Sequence, residues 1–231
     1  MSKPVKIAVL IPDRGDRPVL LKNCMRMLAA QTVLPAHVEI VGPDKVAVVD
    51  SVCDITKRYR FGYDCLRGKG YDVIAFIEND DWYSPQYLET MAHYWTLFKE
   101  PQLMGTDYTI YYHLKLRAWF HIPHPRRASA MNTLIKPDLW IDWPVDNEPY
   151  TDIAIWKQMP GCLFKPQHPI ALGMKHGEGL CGGITHINRF NRFKNTDYDF
   201  EWLKSMVDAP SFEFYKNLYA HQPQLQEKPN K

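Results

Sequence analysis

VIAFIENDDWYSP, residues 73–85, places an apolar segment directly before four consecutive polar side chains. The apolar part, Val73–Ile77, is typical of a strand that is buried on both faces. The polar part consists of Glu78, Asn79, Asp80 and Asp81, whose side chains all carry oxygen atoms that can bind a cation. Because neighbouring carboxylates repel one another, this cluster requires a compensating positive charge.

Strand and helix patterns alternate along the first hundred residues. Apolar runs predict strands, and apolar residues at helical spacing predict helices between them. The strands are expected at 5–11, 37–41 and 73–77, and the helices at 16–28, 50–66 and from Ser84 onward. This alternation predicts an α/β fold with a mostly parallel sheet flanked by helices. A smaller mixed β region should follow, with strands within 103–119 and 130–135 and a short helix at 152–159.

Ligands of such sheets bind beyond the carboxyl ends of the strands. Three loops, Pro12–Arg17, Gly42–Lys45 and Glu78–Asp81, should therefore meet at one edge of the sheet. The acid cluster is then expected to lie in the middle of a binding site.

Composition narrows the class of protein. The chain has 231 residues, of which 45% are hydrophobic and 23% charged, as in an ordinary globular protein. Its net charge is +2, so no global electrostatic field indicates nucleic acid or membrane as a partner. No apolar stretch of about 18 residues predicts a spanning helix, and the first apolar run is too short for a signal peptide. The five cysteines form no C-x-x-C motif, which favours reduced thiols and a cytoplasmic location over a zinc site.

The acid cluster has two possible explanations. The first is a Mg²⁺ or Mn²⁺ site that shares its ligands with the phosphates of a substrate. The second is an acidic turn before the helix that starts near Ser84, where carboxylates are favoured by the helix dipole.

Several motifs resemble family-2 glycosyltransferases of the GT-A fold. That family begins with an apolar strand, a segment similar to I-P-T-Y-N-R-P and a helix that ends near Q-T. This chain reads IAVLIPDRGDRP at 7–18 and Ala30-Gln31-Thr32 after the helix. The family's third strand ends in an Asp-x-Asp-Asp motif before a Pro and a helix, and here residues 76–91 read FIENDDWYSPQYLETM. The resemblance covers about residues 5–100 and is weaker beyond them.

The resemblance implies a nucleotide-sugar donor, most readily a UDP-sugar, with Mn²⁺ or Mg²⁺ as cofactor. Asp80 matches the metal-binding acid, and Asp81 is its neighbour. Glu78 matches the family's acid near the ribose of the nucleotide, and Asn79 beside it is a further donor-binding candidate. The remaining donor-binding candidates match the family's nucleotide-contacting positions and are Pro12, Asp13, Arg14, Asp44 and Arg60.

Two later candidates concern catalysis and the metal. Inverting members of the family use an acid at a helix start to deprotonate the acceptor, and Asp152 in EPYTDIAIWKQM matches that position. Asp146 and Glu148 are alternatives, and Asp152 can equally be an ordinary helix N-terminal residue. His176, or else His186, matches a late metal-binding His, although a lone His is usually a polar surface residue. The glycines at 177, 179, 182 and 183 predict a segment that closes over the donor.

The motifs divide the chain into a nucleotide-sugar-binding half at 1–101, a metal and acceptor half at 102–221, and a flexible tail at 222–231. The leading hypothesis is a metal-dependent, inverting glycosyltransferase, with a nucleotidyltransferase or a non-catalytic binding module as alternatives. The acceptor classes are a glycan, a protein or a hydroxymethylated DNA base. His121, His124, Arg126 and Arg127 form a basic cluster, which is interpreted as a solvated loop rather than as a site for a phosphate-rich acceptor. Residues 188–194 interleave basic and aromatic side chains and are interpreted as a docking element rather than as a nucleic-acid contact.

Overall fold

The computed structural model of the chain describes residues 4–177 and 191–220. The described residues form two compact units, one from 4–110 and 121–173, the other from 111–120, 174–177 and 191–220. These units differ from the halves 1–101 and 102–221 expected from the motifs. The predicted division into a nucleotide-sugar-binding half and a metal and acceptor half stays a prediction. The predicted tail at 222–231 lies outside the described residues.

Eleven strands and six α-helices are found in the described residues. The strands are β1 (Ile7–Pro12), β2 (His37–Val41), β3 (Val73–Phe76), β4 (Trp82–Tyr83), β5 (Leu103–Thr106), β6 (Tyr108–His113), β7 (Ala118–Pro123), β8 (Thr133–Ile135), β9 (Cys162–Phe164), β10 (Ala171–Lys175) and β11 (Asn195–Thr196). The helices are α1 (Pro18–Ala29), α2 (Ile55–Leu66), α3 (Tyr87–Leu97), α4 (Thr151–Gln158), α5 (Glu201–Met206) and α6 (Ala209–Ala220).

The larger sheet has six strands in the order β2-β1-β3-β8-β5-β9. Strand β1 pairs in parallel with β2 and β3, and β5 pairs in parallel with β9. Strand β8 alone runs antiparallel to its neighbours β3 and β5. A second, smaller sheet has the order β11-β7-β6-β10-β4. The predicted α/β class, with a mostly parallel sheet and a smaller mixed region, is confirmed.

Burial of the central strands explains their uninterrupted apolar sequences. Every residue of β1 and of β3 is buried, so both faces of these strands are covered. Helix α2 packs closely on one face because Gly62 has no side chain: a Cβ there would meet Leu10 Cδ1 at 2.1 Å and Val41 Cγ2 at 2.8 Å. Tyr59 of the same helix stacks on Phe76, the last residue of β3, and extends this core.

Several predicted boundaries were wrong. Helix α2 begins at Ile55 rather than at 50, because residues 43–54 form turns and extended chain held by charged side chains. Asp16 makes no cap hydrogen bond to α1, and Arg17 occupies the cap position instead. The segment 103–119 contributes to three strands rather than to one or two, and helices α5 and α6 had no predicted counterpart.

The second unit is organised around the buried Asp197. Its carboxylate accepts hydrogen bonds from the Tyr112 hydroxyl at 3.0 Å and from the backbone N–H groups of Trp202 at 2.8 Å and Leu203 at 3.0 Å. The Trp202 ring stacks on Trp119 with a centroid distance of 4.4 Å. The aromatic content of this part of the sequence is therefore used for packing. Within the described residues, no helix is both long enough and apolar enough to cross a membrane.

Candidate functional site

Glu78, Asp80 and Asp81 form a three-carboxylate cluster directly after β3. One ligand oxygen from each lies within 4.8 Å of the other two. The turn that gathers them is closed by a hydrogen bond from the Asp81 N–H to the Glu78 carbonyl oxygen at 3.3 Å. The Glu78 N–H also donates to the Tyr83 hydroxyl at 2.8 Å. Three oxygen donors this close together fit a hard dication such as Mg²⁺ or Mn²⁺.

The cluster lies at the carboxyl edge of the larger sheet, where the predicted loops meet. The Asn79 side-chain amide donates to Asp13 Oδ1 at 2.6 Å, which joins the loop after β3 to the loop after β1. The Asp13 N–H in turn donates to the carbonyl oxygen of Val41, the last residue of β2, at 3.1 Å. Asp13 and Asn79 are both buried, so they hold the loops together at the base of the site.

Arg17 contacts the cluster, although the sequence had not singled it out. Its Nη1 atom donates to Asp80 Oδ2 at 2.9 Å, and both side chains remain about one-fifth exposed, at 20% and 19%. The pair therefore borders solvent, where a ligand can reach it. A cation in the predicted first loop was the available signal, but its partner lies 63 residues away in sequence.

A different arginine, Arg58, fixes the loop after β2 from within the core. It is 1% exposed, and its guanidinium donates to the carbonyl oxygens of Val41, Gly42 and Val46 at 2.9–3.0 Å. The same guanidinium forms an ion pair with Asp54 at 2.8 Å.

The predicted donor-binding residues occupy different environments in this region. Arg14 donates to the Val52 carbonyl oxygen at 2.8 Å and forms an ion pair with Asp54 at 3.2 Å. Asp44 is exposed. Arg60 is 40% exposed and forms an ion pair with Asp146 at 2.7 Å. Pro12 is buried as the last residue of β1, and the donor role of all these residues stays a prediction.

Asp152, the candidate base, lies in the first turn of α4 with its side chain 14% exposed. Burial raises the pKa of Asp152, and an ion pair with Arg127 opposes that rise. The start of the helix is fixed by the Thr56 hydroxyl, which donates to the Glu148 carbonyl oxygen at 2.6 Å and contacts the Thr151 hydroxyl. A buried carboxylate with a raised pKa suits proton transfer better than an exposed aspartate does.

The interpretation of the basic cluster as a solvated loop was wrong for His121, which lies in β7, and for His124 and Arg127. Arg127 forms the ion pair with Asp152. His124 is buried, and its Nε2 atom lies 3.1 Å from the Thr109 hydroxyl. Burial lowers the pKa of His124 to about 4, with Arg127 adding to the effect. His124 is therefore a neutral packing residue at physiological pH.

Tyr59 lies within electrostatic range of both the acid cluster and the candidate base. Its hydroxyl is fully buried and has no hydrogen-bond partner among the described residues. Burial raises the pKa of Tyr59, and the negative charges of Glu78, Asp81, Asp152 and Asp80 raise it further. Both sets of carboxylates therefore act on one hydroxyl. Leaving such a buried hydroxyl without a hydrogen bond costs about 1–3 kcal/mol.

The late histidines were predicted as metal ligands. His176 is buried and belongs to the second unit, directly after β10. Gly177 beside it has φ of +84°, and a Cβ there would come 3.3 Å from Lys115 Nζ. The ligand role of His176 stays a prediction. His186 and the glycines at 179, 182 and 183 lie outside the described residues.

Comparison with known proteins finds distant structural matches but no family or sequence match. The sequence matches no protein-family model and no curated protein. A crystal structure of S. aureus TarS residues 1–349 in complex with UDP-GlcNAc is 12% identical, with a TM-score of 0.49 over 76% of this chain and 60% of that one. Another crystal structure of S. aureus TarS is 10% identical, with a TM-score of 0.48 over 74% of this chain and 37% of that one. The chain thus spans between 37% and 60% of the length of these structures.

Proposed function

We propose that the chain is a metal-dependent glycosyltransferase of the GT-A type, which transfers a sugar from a nucleotide-diphosphate donor to an acceptor hydroxyl with inversion. UDP is the proposed donor nucleotide, as the sequence resemblance implies. The observation that carries the proposal is the three-carboxylate cluster at the carboxyl edge of the parallel sheet. In open α/β sheets, this edge is where ligands bind.

The cluster supplies the ligands for a dication. Glu78, Asp80 and Asp81 present oxygens within 4.8 Å of one another, which suits Mn²⁺ or Mg²⁺. A dication held by these residues would neutralise negative charge on the leaving diphosphate. Arg17, 2.9 Å from Asp80, adds a further positive charge at the same place.

Nucleotide binding is assigned to the loops after β1 and β2. The hydrogen bonds that join Asn79, Asp13 and the Val41 backbone hold these loops in fixed positions before a ligand arrives. Arg14, Asp44 and Arg60 are the polar side chains of this region that the resemblance assigns to the nucleotide. Fixed loops lower the entropic cost of binding.

Asp152 is proposed as the general base. Its carboxylate accepts the proton of the acceptor hydroxyl while the acceptor oxygen attacks the anomeric carbon. The bond from that carbon to the diphosphate oxygen breaks, and the diphosphate leaves with the electron pair. Attack from the side opposite the leaving group inverts the configuration. Burial of Asp152, which raises its pKa, supports the base role.

Incubation with nucleotide substrates tests this proposal. The purified chain is mixed with MnCl₂ and with UDP-, GDP-, CDP- or dTDP-sugars, and release of free sugar and nucleoside diphosphate is measured by chromatography. The proposal expects slow, Mn²⁺-dependent hydrolysis of at least one sugar nucleotide. Pyrophosphate release from nucleoside triphosphates would support a nucleotidyltransferase instead, and no turnover of either class would support a binding module.

A further inference from the structure

Tyr59 has the surroundings of a functional group rather than of an ordinary core aromatic. Its ring is fully buried on α2 and stacks on Phe76 at a centroid distance of 4.5 Å. Its hydroxyl is buried without a hydrogen-bond partner among the residues that the structure describes. Buried hydroxyls in folded proteins nearly always have such a partner, so the missing one requires an explanation.

Two other buried tyrosines, Tyr63 and Tyr87, have hydrogen-bond partners for their hydroxyls. The Tyr63 hydroxyl, one turn further along α2, donates to the Lys136 carbonyl oxygen at 2.7 Å and accepts from the Leu139 N–H at 2.9 Å. The Tyr87 hydroxyl donates to the Met131 carbonyl oxygen at 2.9 Å. Burial on α2 or beside β8 therefore does not by itself deprive the Tyr63 and Tyr87 hydroxyls of partners.

The position of Phe76 indicates which group Tyr59 approaches. Phe76 ends β3, and the chain continues along the sheet edge, since the Ile77 N–H donates to the Leu10 carbonyl oxygen at 3.0 Å. Side chains two residues apart in extended chain point to the same face, so Glu78 follows Phe76 on the face that Tyr59 covers. Consistently, Glu78 exerts the largest charge effect on the Tyr59 hydroxyl.

We propose that Tyr59 is a positioning residue whose hydroxyl donates a hydrogen bond to the Glu78 carboxylate when the acid cluster holds a dication. The inference rests on the proposed metal site and deepens it. A dication draws the three carboxylates toward itself, and each carboxylate retains oxygen lone pairs that need outer partners. Groups that hydrogen-bond to metal-binding residues in this way orient them and strengthen metal binding.

The test compares Tyr59→Phe with Tyr63→Phe. Each variant loses one oxygen atom from a buried ring on the same helix. Thermal unfolding is measured without metal, and Mn²⁺ binding is measured by electron paramagnetic resonance in the presence of UDP. Tyr59→Phe should unfold at the wild-type temperature or above it, because it removes an unsatisfied group. It should also bind Mn²⁺ about 10-fold more weakly.

Tyr63→Phe should show the opposite pattern. It breaks the hydrogen bonds of the hydroxyl to Lys136 and Leu139, so its unfolding temperature should fall while its Mn²⁺ affinity stays at the wild-type value. If Tyr59→Phe binds Mn²⁺ as tightly as the wild type, the positioning role is wrong and the proposed function stands. A Tyr59→Phe chain that loses stability contradicts the inference whatever its Mn²⁺ affinity. If the wild type itself takes up no Mn²⁺, the proposed metal site and this inference both fail.

Discussion

Arg17 Nη1 lies 2.9 Å from Asp80 Oδ2 and joins the start of α1 to the acid cluster after β3. The guanidinium satisfies one oxygen of a carboxylate that is also the principal candidate metal ligand. A dication entering the cluster therefore meets a positive charge already in place. The same positive charge becomes favourable once a diphosphate is present.

This relationship predicts opposite effects of Arg17→Ala on two ligands. Mn²⁺ alone should bind several-fold more tightly, because a repelling charge beside Asp80 is removed. The affinity for UDP in the presence of Mn²⁺ should fall by at least about 10-fold, because a charge-assisted contact is lost. Isothermal titration calorimetry measures both affinities.

Arg26→Ala is the control for this pair of measurements. Arg26 lies about two and a half turns further along the same helix, in its last turn, and its guanidinium donates to Asn23 Oδ1 at 3.0 Å. Its removal should leave both affinities unchanged. Weaker Mn²⁺ binding by Arg17→Ala would mean that Arg17 supports the metal site rather than opposing the dication.

Arg58 and Arg60 should separate stability from nucleotide binding. Arg58→Ala removes a buried guanidinium that pairs with Asp54 and donates to three backbone carbonyl oxygens, and should lower the free energy of unfolding by about 3 kcal/mol. Arg60→Ala breaks an exposed ion pair with Asp146 and should lower it by less than about 1 kcal/mol. Urea unfolding measures both changes.

The resemblance adds a second expectation for Arg60. Because it is assigned to the nucleotide, Arg60→Ala should weaken UDP binding although the fold stays intact. Unchanged UDP affinity in this variant would show that Arg60 does not belong to the donor site.

The UDP affinity of Arg58→Ala should be measured at a temperature at which the chain remains folded. Loss of affinity is then not confused with unfolding.

Arg127 should control the pH at which Asp152 becomes active. Burial raises the pKa of Asp152 and Arg127 lowers it, so Arg127→Gln should raise it further. A base works in its ionised form, so the acidic limb of the kcat/KM profile should move to higher pH in Arg127→Gln. Arg126→Gln, which changes the exposed neighbour, should leave the limb in place.

The same shift has a consequence for stability. The pKa of Asp152 is higher in the folded state than in the unfolded state. The contribution of Asp152 to the free energy of unfolding is therefore fully present at a pH below its unfolded-state pKa. That contribution is lost as the pH rises through the folded-state pKa.

The kinetic prediction for Arg127→Gln has a clear contrary outcome. An acidic limb of the kcat/KM profile that stays in the same place in this variant would show that another group is the base.

The sheet was predictable because its signals are local. Strand β2 has the predicted bounds, His37–Val41, and β3 differs by one residue, since apolar runs of this length determine their own conformation. The meeting of three loops followed from the geometry of parallel strands alone. Helix α2 starts later than predicted. Arg58 binds the carbonyl oxygens of the preceding loop, and a sequence pattern does not reveal such contacts.

The pairs that define the site were less predictable. Asp80 and Asp152 could be chosen from the sequence, but their partners Arg17 and Arg127 lie 63 and 25 residues away from them. Such pairing depends on the tertiary fold, and a sequence shows only that cations exist nearby. Tyr59 has the spacing of an ordinary core residue on α2, and its unpaired hydroxyl becomes apparent only in three dimensions.

Mn²⁺ binding by Asp80→Asn tests the central claim most directly. The change keeps the shape of the side chain and removes the charge that a dication requires. Asp64→Asn, which changes an exposed acid on α2 outside the loops of the site, is the matched control. Asp80→Asn is expected to lose at least about 10-fold in Mn²⁺ affinity and to lose sugar-nucleotide turnover, while Asp64→Asn retains both. Wild-type Mn²⁺ affinity and turnover in Asp80→Asn would contradict the account.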